Sequence, residues 1–264
     1  MGNIVNYQTD RGVALLTLND PPVNAFTHEM LVELDAHITD ARFDDDVQAI
    51  VLTGHGEHFF SAGANINMLR EVDASFRYNF FLYASETMAR IEHTPKLVIA
   101  ALNGHAVGDG MEMALACDIR IARAGAGTIG MPQIDLGMIP GTGGTQRIAR
   151  FLRKGRAMHM LLEGEKMSFP DALGVGLVDF VWTSDSHAEF IDRVLDYARR
   201  FTRPDKSPLT VGKLKLAVQA AYELTTEQGV AFERELQAQL CSADDACEGL
   251  QAWIEKRPPV FQGK

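Results

Sequence analysis

Three short apolar runs, QAIVLTG at 48–54, KLVIAALNG at 96–104 and DIRIARAG at 118–125, are separated by segments with helical spacing. That alternation constrains the chain more than any other feature. A tight turn can join only antiparallel neighbours, whereas strands joined by helical crossovers lie parallel, so an α/β core with mainly parallel pairing is expected. Upstream, IVNYQTD and GVALLTLND alternate about Asp10-Arg11-Gly12, which predicts two more strands. In the next segment Thr27 stands as a helix cap, and Met30, Leu31, Leu34 and Ile38 fall on one helical face. Residues 75–92 place Phe76, Phe80, Ala84, Met88 and Ile91 at helical spacing, and Pro95 ends that helix. Beyond residue 184 four segments read as helices: HAEFIDRVLDYARRF, PLTVGKLKLAVQAAYEL, TEQGVAFERELQAQLC and ACEGLQAWIEKR. A length of 264 residues fits one main domain with an appendage, divided here into a core at 1–200 and a helical region at 201–264.

Composition narrows the function classes. Apolar content of 46% and charged content of 23% are those of a globular protein. A net charge of −10 argues against nucleic acid as a partner. No run reaches the ~18 apolar residues of a membrane span. The start, MGNIVNYQTD, has neither a basic nor an apolar leader segment, so a cytoplasmic location is expected. Cys117, Cys241 and Cys247 are odd in number and lack metal-type spacing, which suits free thiols in a reducing compartment. His55 and His58 stand in HGEHFF without further ligands, so no metal site is expected. PGTGGTQR at 140–147 lacks the Gly-Lys-Ser/Thr of a phosphate loop, and Gln146 breaks a dinucleotide fingerprint. Ser61 is not in a Gly-x-Ser-x-Gly elbow.

One acidic residue stands in the most apolar helical run, GHAVGDGMEMALACD at 104–118. Burying the Glu112 carboxylate is costly unless it is paired, protonated or used. Arg120 and Arg147 are candidate salt-bridge partners, and proton transfer is the competing role. Two junctions bear on the choice: FFSAGANI and NGHAVGDGME each lead from a strand through small residues into a helix. Such junctions are ordinary tight turns, or they leave backbone N–H groups free for a developing negative charge. Glu112 lies three residues after Asp109, on the same helical face as the second junction. A carboxyl group beside an oxyanion hole is an arrangement for proton transfer.

Together SAGANI, NGHAVGDGMEMALACDIRIA and GMPQIDLGMIPGTGGTQRIAR closely resemble the crotonase (enoyl-CoA hydratase/isomerase) superfamily, and TLNDPPVNAF and EGLQAWIEKRPPVF extend the likeness over essentially the whole chain. The resemblance implies a spiral of ββα turns with a helical C-terminal trimerisation region, assembled as a trimer or a dimer of trimers. It implies an acyl-CoA thioester as substrate, with no cofactor beyond the coenzyme A that the substrate carries. The thioester oxygen would sit between the backbone N–H groups of Ala64 and Asp109. Glu112 falls on the glutamate that holds and deprotonates water. Ala62, Asn67, Trp253 and Lys256 match positions that contact coenzyme A, the last two across a subunit boundary. For Trp253 and Lys256 trimer packing and a solvated charge are the plainer roles.

Three positions depart from the family pattern. Gln133 replaces its second glutamate, and an amide neither gives nor takes a proton at neutral pH. Asp135, two residues on, is a substitute carboxylate if the loop bends. Asp109 stands where the family usually has glycine, and Asn67 where a lysine is common. The expected activity is hydration of an α,β-unsaturated acyl-CoA, or the reverse dehydration, through an oxyanion hole and a single glutamate. The alternatives are isomerisation, decarboxylation or thioester hydrolysis on the same site, or acyl-CoA binding with little catalysis.

Overall fold

The structure, a computed structural model, describes residues 4–264; the first three residues, part of the N-terminal stretch discussed above, lie outside it. Six strands form the main sheet: β1 (Val5–Asp10), β2 (Val13–Leu18), β3 (Ala49–Gly54), β5 (Leu97–Leu102), β7 (Ile119–Arg123) and β10 (Phe180–Trp182), side by side in that order. β1 and β2 are antiparallel across the Asp10–Val13 turn, and every later pair is parallel. All six residues of β3 are buried, as a parallel strand covered on both faces should be. Alternation along the strands sorts the core in two. Ile50, Leu52, Val98, Ala100 and Leu102 pack with α1 (His28–Phe43) and α3 (Ala74–His93). Val51, Ile99, Ala101 and Ile121 face Phe190, Ile191 and Val194 of α8 (His187–Arg199) on the other side. Among the described residues no helix is long and apolar enough to cross a membrane.

A second sheet contains β4 (Phe59–Ser61), β6 (His105–Val107), β8 (Thr128–Gly130) and β9 (Lys166–Ser168), each of three residues. β3, β5 and β7 are followed by β4, β6 and β8, and then by a helix: α2 (Ile66–Glu71), α4 (Asp109–Ala116) and a single 3-10 turn (Pro132–Leu136). The repeated step is therefore strand, strand on the other sheet, helix: a spiral of ββα turns. The strand expected over 96–104 is present as Leu97–Leu102, and a second short strand not expected from sequence follows it at His105–Val107. The chain leaves the main sheet at Asn103, whose side chain accepts from Gly54 N at 3.0 Å and donates to Gly56 O at 2.8 Å. Those bonds complete the corner, and β6 then starts on the small sheet.

The spiral places α4 at its centre, with all eight residues buried. Its far end is pinned by an ion pair. Asp118 accepts from Val98 N at 2.7 Å and from Lys215 Nζ, on α9 (Pro208–Ala220), at 2.9 Å. Lys215 also donates to Ile91 O and Lys96 O. Burial pushes the Asp118 carboxyl above its ordinary pKa, and Lys215 opposes the shift. Lys215→Ala removes the cation and leaves Asp118 in low-dielectric surroundings. Urea denaturation is expected to show a loss of about 3 kcal/mol, the lower end for breaking a buried pair.

Candidate active site

The segment after β4 is held by backbone bonds to residues 23–26. Ala62 N donates to Val23 O at 3.0 Å, Phe26 N to Gly63 O at 2.8 Å, and Asn65 N to Phe26 O at 2.9 Å. Ser61 Oγ donates to Asn24 O and accepts from Gly63 N. Asn24, itself buried, donates from Nδ2 to His55 O and Phe59 O. In the sequence, Asn24 carries no signal beyond the turn-rich NDPPVNAF. Gly63 has φ +84°, and a Cβ there would lie 2.6 Å from Asp109 N. The two strand-to-helix junctions thus come together only because residue 63 lacks a side chain. Asp109 opens α4, so its N–H has no intrahelical acceptor.

A cavity of about 170 Å³ lies where these junctions meet the 3-10 turn. Ala62, Ala64, Asp109 and Gln133 line it beside apolar side chains that include Ile66, Phe81, Leu136 and Ile139. One helical turn along α4, Glu112 is wholly inaccessible. Its Oε1 accepts from Thr142 N at 3.0 Å and from Gly144 N at 2.6 Å, and its Oε2 accepts from Gln133 Nε2 at 3.2 Å. Neither candidate arginine pairs with it. Arg120 bonds to Asp179 at 2.6 Å and to Cys117 O. Arg147 bonds to Glu92 at 2.7 Å and to Thr142 O at 2.8 Å, bracing the peptide strand that serves Glu112. With no cation at hand, burial pushes the Glu112 pKa up to about 9, the Asp109 carboxyl pushes in the same direction, and the Gly144 and Thr142 N–H groups oppose both. That shift favours the neutral form of the Glu112 carboxyl at neutral pH.

Asp109 is 5% exposed. Its Oδ2 accepts from Ala64 N at 2.9 Å, and its Oδ1 has no partner among the described residues. The Ala64 N–H, read from sequence as open to a substrate oxygen, is therefore occupied by a side chain of the same site. A glycine at 109 has no such group to offer. Gln133 is buried with its Oε1 unpartnered. Asn67, on the first turn of α2, is exposed and does not line the cavity. Trp253 and Lys256, at the end of α11 (Asp244–Glu255), also lie outside it, and Trp253 is 85% exposed. Asp135 is exposed on the 3-10 turn, outside the cavity lining, so the loop does not bend to bring it in.

Gly144 tests how tightly Glu112 is seated. A Cβ at 144 would lie 2.5 Å from Glu112 Oε1, so Gly144→Ala must displace the carboxyl. Urea denaturation is expected to show a loss of about 1–3 kcal/mol, the scale of overpacking a filled site.

Comparison with known proteins shows the family and the fold. The enoyl-CoA hydratase/isomerase family model matches residues 8–264. The 2,3-dehydroadipyl-CoA hydratase of Escherichia coli K12 is 37% identical, over 96% of this chain and 96% of its own. The short-chain-enoyl-CoA hydratase of Clostridium acetobutylicum is 34% identical, over 97% and 96%. A solved structure of an enoyl-CoA hydratase from Geobacillus kaustophilus HTA426 superposes with a TM-score of 0.95 at 38% identity, over 100% of this chain and 98% of that one. The chain, with its spiral of ββα turns, belongs to the enoyl-CoA hydratase/isomerase family.

Proposed function

We propose that this protein hydrates an α,β-unsaturated acyl-CoA, and in reverse dehydrates a 3-hydroxyacyl-CoA. The observation that carries this reading is the Glu112 carboxyl, buried without a pairing cation one helical turn from Asp109, whose own carboxyl holds the Ala64 N–H. The names of the relatives, hydratases of 2,3-dehydroadipyl-CoA and of short-chain enoyl-CoA, support the same class of substrate.

In this mechanism the thioester oxygen takes the Ala64 and Asp109 N–H groups. Charge developing on that oxygen makes the β-carbon electrophilic, and donors fixed in a dry site stabilise it without reorganising. Water is held by Gln133 Oε1, which has an open acceptor, and by Glu112. As the water oxygen bonds to the β-carbon, Glu112 in its ionised form takes its proton. In reverse, neutral Glu112 gives that proton to the departing hydroxyl, a role suited by a raised pKa. The acyl chain runs along Ile66, Leu136 and Ile139, and Ala62 and Asn67 meet the coenzyme A portion.

The C-terminal helices supply the second half of the proposal. Leu214 and Val218 of α9 and Tyr222 just beyond it, with Leu250, Trp253 and Ile254 of α11, are each more than half exposed. A monomer rarely leaves so many large apolar side chains in water, and closed symmetric assembly covers them. In that trimer or dimer of trimers, Trp253 and Lys256 reach the coenzyme A bound to a neighbour. Sedimentation equilibrium is expected to give three or six times the 29.0 kDa chain mass; a monomer rules this arrangement out.

Glu112→Gln is expected to lower kcat for crotonyl-CoA hydration by about 10²–10⁴, the range for a lost acid–base group, with little change in butyryl-CoA affinity. Full activity would show Glu112 to be structural. Stability supplies a second readout. The folded pKa lies above that of the unfolded chain, so the folded protein keeps a proton that the unfolded chain releases. The resulting stability is present at acid pH and lost as pH climbs toward 9. Glu112→Gln has no such proton, so its urea midpoint should fall less over that interval.

A further inference from the structure

Hydration moves two protons, one from water and one onto the α-carbon, and Gln133 leaves the second without a carrier. Asp109 is the only ionisable side chain lining the cavity among the described residues. It sits one helical turn from Glu112, nearly buried, with one carboxyl oxygen unpartnered. Its other oxygen occupies the Ala64 N–H, where the thioester oxygen belongs on the hydratase reading. A group that stands where the carbonyl oxygen will bind is, once displaced, next to the carbon attached to that carbonyl.

We propose that Asp109 is the second acid–base group of this site: the incoming thioester takes the Ala64 N–H from Asp109 Oδ2, and Asp109 then delivers the proton to the α-carbon. This inference rests on the hydratase reading and assigns the step that reading leaves open.

The proton count closes. In the resting pair, on this proposal, the proton sits on Glu112, whose pKa burial raises, while Asp109 Oδ2 accepts the Ala64 N–H. When the thioester oxygen takes that N–H, the Asp109 carboxylate loses its donor in a site without a cation. Glu112 keeps both of its N–H donors, from Thr142 and Gly144. The proton therefore passes from Glu112 to Asp109. Glu112 now accepts a proton from water as the water oxygen bonds to the β-carbon. The electron pair of the double bond moves to the α-carbon, which takes the Asp109 proton. The product leaves with one added water, Glu112 is again protonated, and Asp109 returns to Ala64 N as a carboxylate. No other ionisable group enters the exchange. Arg147 of α5 (Gly144–Phe151) is committed to Glu92 of α3, and Asp135 faces solvent.

The test compares wild type with Asp109→Asn, Asp109→Gly and Asp109→Glu, measuring crotonyl-CoA hydration across pH, butyryl-CoA affinity and thermal melting. Wild type should be most active with the pair singly protonated, giving an acid and an alkaline limb. Asp109→Asn and Asp109→Gly should melt near wild type, bind butyryl-CoA at least as tightly because Ala64 N is less contested, and lose about 10²–10⁴ in kcat. Their alkaline limb should vanish, since no donor is left to deprotonate, and Asp109→Glu should recover part of the rate. Hydration at or above the wild-type rate in Asp109→Asn or Asp109→Gly overturns the proposal, because Asp109 then only obstructs the Ala64 donor. Should both variants fail to fold, Asp109→Glu without the alkaline limb, or a wild-type profile without one, does the same. A wild type that binds enoyl-CoA esters but hydrates none overturns the hydratase reading itself, and this inference with it.

Discussion

A carboxyl group wholly removed from water, with no cation beside it, is the constraint around which this molecule is organised. Backbone N–H groups of Thr142 and Gly144 carry Glu112, and they are correctly placed only because the loop before α5 folds over α4. Arg147 contributes by fixing the Thr142 carbonyl, and its guanidinium pairs with Glu92 rather than with Glu112. An arginine paired directly with Glu112 would lower its pKa and remove its capacity to hold a proton at neutral pH. The spiral supplies that isolation: α4 is enclosed on every side, and its ends are tied by the Asp109 bond to Ala64 and by the Asp118–Lys215 pair.

The chemistry of the site follows from what surrounds one small cavity. Two strand-to-helix junctions, each unremarkable as a turn, meet at Gly63, where the Ala64 N–H is held by the Asp109 carboxyl. Gln133 orients Glu112 through its amide N–H and leaves its own oxygen facing inward without a partner. Two of the three departures from the family pattern line this cavity: an amide at 133 where the resemblance implies a carboxyl, and a carboxyl at 109 where it implies glycine. Their physical sum is a site that retains two carboxyl groups in a different geometry.

Much of the fold was legible in the chain. The β1–β2 turn at Asp10-Arg11-Gly12, the Thr27 cap, the helical face of α1 and that of α3 apart from exposed Phe76 were evident because local periodicity and capping chemistry determine them. The second sheet was not. Its strands have three residues each, too few to show a period, and the corner at Asn103 was absorbed into one long apolar run. The positioning role of Asn24 was missed for a related reason: its bonds reach residues 55 and 59, far along the chain.

For the site, the sequence by itself determined which groups are present: one carboxyl in an apolar helix, two glycine-rich junctions, an amide at 133 and an aspartate at 109. Helical spacing also placed Glu112 and Asp109 on one face, because i and i+3 side chains are neighbours. Tertiary structure alone decided where those groups turn. The spacing left Arg120 and Arg147 open as partners of Glu112, and packing assigned them to Asp179 and Glu92. It also gave the Ala64 N–H to Asp109 across 45 residues of chain. The cost of burying charge is set by everything enclosing a residue, and neighbours along the chain are only a small part of that enclosure.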